Sequence, residues 1–354
     1  MLCIAAFIVF GILAIFSATF RPLAAKAWRC VVLRVTLRPC DVNFGEEIKT
    51  RMVAKLMFRA PRTARFFDRW MEAFAFVFVA LSIWSLVYVF VGGLNLYVYG
   101  TCSPNSVESC SLSGEACGVD QAQLSLMDAI RTNAVGEWAL GPFTRLAETV
   151  SRIPDRLRHW EAKEFLGPTA TFAQDEDAAK PYAVEVIDPS CKFCRQLTAN
   201  MKEAGIPAAY NVSFLLYPIP LPDGKTKFPH SRLMASYIEA LKTQPQTPGA
   251  PAHADWVLLS KIFEGDLQQR FVLTFNAAQA EEQLQSLLKT MGYTPSQIRT
   301  IALRAHSSAV EHSLAEQKLI VEERVRTIRI PTLLIAGRRY DRALSTSALK
   351  SLLP

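Results

Sequence analysis

The sequence predicts an α/β domain carried on a two-helix membrane region, and three observations lead there. Two long uncharged apolar stretches lie within the first 98 residues. After residue 180, short β-branched runs alternate with helical periods, and a Cys-x-x-Cys pair falls where a strand runs into a helix. A chain of 354 residues has room for two or three structural units, and a hydrophobic content of 50 % is high for a purely soluble protein.

Residues 2–20 carry no charge, and at about 1.5 Å per residue they just span a bilayer core of about 30 Å. A cleaved signal peptide would need a basic segment ahead of the apolar run, and only Met1 precedes it. Residues 73–98 are also uncharged, with Trp84, Tyr88, Tyr97 and Tyr99 as interfacial anchors. Both stretches are therefore expected to be transmembrane helices. Between Arg21 and Glu72 there are 12 Lys and Arg against 5 Asp and Glu, so the whole formal charge of +7 sits in this connecting loop. Short basic loops stay cytoplasmic, which puts both termini outside. A basic run can also bind nucleic acid, but two flanking spans make topology or anionic lipid the better explanation, and no nucleic-acid partner is expected.

Residues 101–120 are rich in Ser, Gly and Cys without an apolar period and read as an irregular loop. Residues 121–165 hold amphipathic stretches broken by Pro154, a helical stalk or membrane-surface segment. From about residue 180 the order is strand (182–188), a helix that begins at the cysteine pair and ends at Gly205, strand (208–220), helical periods over 228–326, strand and turn (330–341), and a terminal helix (345–353). The domains expected are an anchor at 1–100, with its basic cytoplasmic loop at 21–72, a cysteine-containing loop and stalk at 101–164, and an α/β domain at 165–354.

A Cys-x-x-Cys pair alone is also half of a zinc site. The segment after residue 180 offers no third cysteine and only the scattered His230, His253, His306 and His312, so neither a metal nor a cofactor is expected. Cys191 at a helix N-terminus meets unpaired amides and the positive end of the helix dipole, and Lys192 adds a neighbouring charge. Both favour its thiolate, which makes Cys191 the nucleophile and Cys194, one turn deeper, the resolving thiol. Cys191 is also expected to be the more exposed of the two.

The motifs EVIDPSCKFCRQL and IPTLLIAGRRY, separated by a helical insertion, resemble the thioredoxin-like fold in its Dsb-type form, that of the periplasmic disulfide oxidases and isomerases. The resemblance covers roughly residues 165–354. It implies that Pro331 is a cis-proline holding substrate backbone beside the redox pair. It also implies that Glu185, six residues before Cys191, is a buried acid relaying the resolving thiol's proton. Strand alternation alone leaves Glu185 equally able to face outward. The central Lys192–Phe193 is neither Gly-Pro nor Pro-His, so the direction of electron flow stays open.

Cys30 and Cys40, ten residues apart, fall in the expected cytoplasmic loop as free thiols, with a metal or redox role as the alternative. Cys102, Cys110 and Cys117 lie outside the second span, and Cys3 near the same face. They serve structural disulfides, Cys102–Cys110 being the expected pair, or a relay to Cys191. The functional expectation is a membrane-anchored extracytoplasmic thiol–disulfide oxidoreductase acting on protein thiols or disulfides, with the bilayer and a membrane redox partner as its other contacts. A tethered binding or chaperone protein without redox turnover is the alternative.

Overall fold

The structure is a computed structural model, and it describes residues 2–16, 18–36, 61–99, 117–118, 126–221, 223–242 and 249–354. The chain forms two compact units, Met1–Val91 and Gly92–Pro354. The expected positions of Cys40, Cys102 and Cys110, with the Cys102–Cys110 disulfide, lie outside the described residues.

In the first unit, α1 (Leu2–Phe16) folds back through a 3-10 turn at Ala18–Phe20 onto α2 (Arg21–Val35). Phe7, Phe10 and Leu23 pack around the buried Ala27. The expected 2–20 span is thus shorter: 15 residues rise about 22 Å, less than a bilayer core of about 30 Å. The limit is the turn itself, which ends the helix before Arg21 begins the next one. Cys30 lies buried in α2. The boundary between units falls within α3 (Pro61–Tyr99). Its segment Ala73–Val98 is, among the described residues, the one helix long and apolar enough to cross a membrane by length and composition. Leu81, Leu86 and Val89 on it are exposed, as suits an apolar solvent.

The second unit begins with the end of α3 and the two-residue strand β1 (Cys117–Gly118), where the sequence suggested only irregular loop. Next come α4 (Leu126–Arg131), α5 (Val135–Ser151) and α6 (Ile153–Leu157). The break in the amphipathic segment falls at Arg152, and Pro154 sits in the first turn of α6, where a missing N–H leaves no bond unmade.

The core is a four-stranded sheet. Strand β2 (Tyr182–Ile187) leads through α7 (Lys192–Ala204) and the short α8 (Ile206–Ala209) to β3 (Asn211–Leu216), which pairs parallel to β2. Gly205 ends α7 at φ 79°, the left-handed conformation that a residue without Cβ adopts freely. The expected 208–220 strand shortens because Pro207 opens α8. Six helices follow as the insertion: α9 (Ser231–Lys242), α10 (Ala254–Phe263), α11 (Leu267–Leu273), α12 (Ala277–Thr290), α13 (Pro295–Ala305) and α14 (Ser308–Leu319). A π-helical turn at Ile320–Val325 returns the chain to the sheet.

The chain then forms β4 (Arg329–Ile330), a cis Ile330–Pro331 peptide, β5 (Thr332–Ile335) and β6 (Arg338–Tyr340), and closes with α15 (Thr346–Lys350). Ala336 and Gly337 both have positive φ, so the GRRY segment turns tightly and continues as a strand. The sheet order is β3-β2-β5-β6, with β5 antiparallel to β2 and to β6. This parallel pair with its crossover helix, followed by an antiparallel hairpin, is the thioredoxin-like arrangement. Pairing of Val186 with Thr332 sets Pro331 beside the C-terminal end of β2, where the chain turns into the cysteine-bearing helix.

Candidate functional site

Asp188 organises the turn between β2 and α7. Its carboxylate accepts from the Ser190 amide at 2.8 Å, the Ser231 hydroxyl at 2.6 Å and the Ile219 amide at 2.9 Å. These bonds fix the turn to the exit of β3 and the start of α9. Burial pushes the Asp188 pKa up to about 6, even against those three donors. From the other side Gln268 on α11 donates to the carbonyls of Pro189 at 2.8 Å and Cys191 at 3.1 Å. The turn is thereby held from both the sheet and the insertion.

Cys191 caps α7, and Cys194 follows one turn on. Burial alone would raise the Cys191 pKa. Hydrogen bonds from the Cys117 thiol, the Cys194 thiol and the amides of Cys194 and Phe193 more than offset it and hold it well below an ordinary thiol. Cys194 moves the other way: burial, its bond to Cys191, the Cys191 charge and Glu185 all raise it well above the ordinary value. The expectation that Cys191 is the more exposed thiol is corrected, since both are fully buried. Cys117 of β1, which the sequence did not reveal as a strand, lies against Cys191.

Glu185 is buried and faces the site. Burial raises its pKa to about 8, a hydrogen bond from Thr198 opposes the rise, and the Cys191 charge adds to it. Its outward-facing alternative is removed because β2 is buried along five of its six residues. Lys192 is exposed, with its ammonium 4.8 Å from the centre of the Phe193 ring. Ile330, which precedes Pro331, presents its carbonyl oxygen 3.8 Å from Cys191 Sγ.

A cavity of about 400 Å³ opens beside the pair, lined among others by Cys117, Ser190, Phe193, Gln268 and Leu273. Among the described residues, no group of three or more His, Cys, Asp or Glu side chains is placed to hold a metal. Two residues at the site were missed from sequence, Asp188 and Gln268, while Cys117 was named only among the cysteines open to a structural disulfide or a relay. Asp188 carried a signal, since an Asp two residues before Ser190 suits an Asx turn. Gln268, distant in sequence, carried none.

No family model matches the sequence, and no curated protein matches it. Several solved structures do resemble it. The thiol-disulfide exchange protein alpha-DsbA2 of Wolbachia pipientis is 16 % identical, over 53 % of this chain and 88 % of its own, at a TM-score of 0.38. Proteus mirabilis ScsC, in a transitional conformation, is 11 % identical over 64 % and 93 %, also at 0.38. MdbA of Corynebacterium matruchotii, a thiol-disulfide oxidoreductase, is 13 % identical over 55 % and 96 %, at 0.40.

Proposed function

We propose that this chain is a membrane-anchored, extracytoplasmic thiol–disulfide oxidoreductase acting on protein thiols and disulfides through Cys191 and Cys194. One observation carries the reading: Cys191 caps α7 with Cys194 one turn on, and the carbonyl of Ile330, at the cis Ile330–Pro331 peptide, lies 3.8 Å from Cys191 Sγ. In the reducing direction the Cys191 thiolate attacks a substrate disulfide, forming a mixed disulfide and releasing one substrate thiolate. Glu185 in its ionised form then takes the proton of Cys194, which attacks Cys191 Sγ. The Cys191–Cys194 disulfide forms, and the second substrate sulfur leaves as a thiolate. The oxidising direction is the same sequence reversed.

Ile330 and Pro331 offer backbone beside the reacting sulfur, and Lys192 meets the substrate at the rim of the cavity. The bilayer anchor is the Ala73–Val98 helix, whose length and exposed apolar side chains support that role. The basic 21–72 segment on the cytoplasmic side supports an external redox domain. The N-terminal helix is too short to carry the anchoring argument.

The test is catalysis of insulin disulfide reduction by dithiothreitol with the full-length chain. Wild type should accelerate the reaction and Cys191→Ser should lose the acceleration entirely. On the reduced chain, alkylation at slightly acidic pH should reach Cys191 before Cys194. A wild-type rate equal to that of Cys191→Ser overturns the proposal.

A further inference from the structure

The site holds a third thiol. Strand β1 pairs antiparallel with β4, Cys117 opposite Ile330 and Gly118 opposite Arg329. Among the described residues no other strand pairs with β4. Ile330 is the residue whose carbonyl lies against Cys191 Sγ, so the pairing delivers the Cys117 side chain to the same sulfur. There the Cys117 thiol donates a hydrogen bond to Cys191 and is itself only 7 % exposed. A structural cysteine needs none of this placement. A thiol in hydrogen-bond contact with a thiolate nucleophile stands where a third sulfur must stand for thiol–disulfide exchange.

We propose that Cys117 is a third redox cysteine, exchanging with Cys191 inside the same chain and occupying the edge of β4 as the domain's own substrate strand. The inference rests on the proposed redox role of Cys191. In the exchange, Cys117 as thiolate attacks Cys191 Sγ of the Cys191–Cys194 disulfide. The Cys117–Cys191 bond forms as the Cys191–Cys194 bond breaks, and Cys194 leaves as a thiolate that takes up a proton. The proton lost by Cys117 balances the one gained by Cys194, and one disulfide replaces another, so no outside oxidant is required.

The proton positions in the reduced site agree with this order. Cys117 is held protonated chiefly by its bond to the Cys191 thiolate, with burial adding to the effect. Oxidation of Cys191 removes that acceptor and with it the largest of the effects that hold the proton on Cys117. The pairing also has a steric meaning. β1 is two residues long, so an external strand displaces few hydrogen bonds in taking its place, yet it must displace them to reach Cys191.

The experiment uses the full-length chain in detergent, with Cys194→Ala and Cys194→Ser in parallel and oxidised glutathione as the probe. Glutathione first caps Cys191. The inference predicts that Cys117 then expels it, so that peptide mapping under non-reducing conditions finds Cys117 linked to Cys191 within one chain and the glutathione adduct lost. Adding Cys117→Ser to either variant should leave the adduct in place. In the unsubstituted chain the same reagent should yield a fraction with Cys194 alkylatable and Cys117 protected. Glutathione retained on Cys191 while Cys117 stays free, or a link joining two chains, overturns the inference and leaves the redox role of Cys191 standing. Failure of Cys191 to take up glutathione in any form overturns both.

Discussion

Replacing Glu185 by Gln tests the burial on which the site's electrostatics depend. With its pKa raised from an ordinary 4.5 to about 8, Glu185 stays protonated in the folded chain while the unfolded chain releases the proton. Between those two values the native state binds more protons than the unfolded one. Stability therefore falls as pH rises through that window, by about 1.4 kcal/mol per pH unit. From about pH 5 to about pH 8 the loss assignable to Glu185 is on the order of 4 kcal/mol. Gln has the same shape and no proton to lose, and Thr198 Oγ1, 3.4 Å from the nearer carboxylate oxygen, is present for either side chain. Guanidinium unfolding of the reduced chain and of Glu185→Gln, followed by tryptophan fluorescence, measures the difference. Trp256, packed edge-on against Phe214 at 4.7 Å, is a reporter within the core. The stability gap in favour of Gln should widen by about 4 kcal/mol across that pH range, with Asp188 titrating equally in both proteins. A gap that changes by less than about 1 kcal/mol would refute the reasoning, because Glu185 would then ionise freely in the folded state.

Two further outcomes are expected. Glu239 lies fully buried in the insertion, 3.3 Å from Lys242, and accepts from Thr169, from Ser313 at 2.7 Å and from Gln317 at 2.9 Å. Glu239→Ala should cost about 3–5 kcal/mol in chemical unfolding, and Lys242→Met in the same chain should recover part of it, since the orphaned buried charge is the larger penalty. Alkaline phosphatase fused after Pro354 should be active outside the cytoplasm, whereas a fusion within residues 37–60 should be inactive. The opposite pattern would reverse the proposed orientation of the α/β domain.

Local signals made much of the α/β domain legible. The Cys191 start and Gly205 stop of α7 can be read from sequence because a helix end needs particular residue types. β2 is equally plain as an apolar run, but that run is buried on both faces, and this is why it gave no answer for Glu185. The GRRY strand was hidden because its turn places Ala336, a residue without turn preference, at φ 51°. The end of α1 at Phe16 was not legible in the first apolar stretch, because composition counts uncharged residues but does not report where a helix stops. Sequence named Cys117 among several relay candidates, but its placement against Cys191 was beyond reach for a different reason. Its strand consists of two residues and exists only through its long-range partner Ile330, so no local period could mark it.

The insertion is joined to the sheet at more than its two chain ends. Gln268 holds the carbonyls on either side of the cysteine turn, and Gln317 accepts from the Leu216 amide of β3 at 2.8 Å while donating to Glu239. Opening the insertion away from the sheet would strip partners from buried amides and carbonyls on both, at about 1–3 kcal/mol for each group left unmet. The six helices therefore do not behave as a hinged lid. They and the sheet make up one cooperative unit, and their slowest amide protons should exchange with solvent at the rate of the sheet's own, through global unfolding alone.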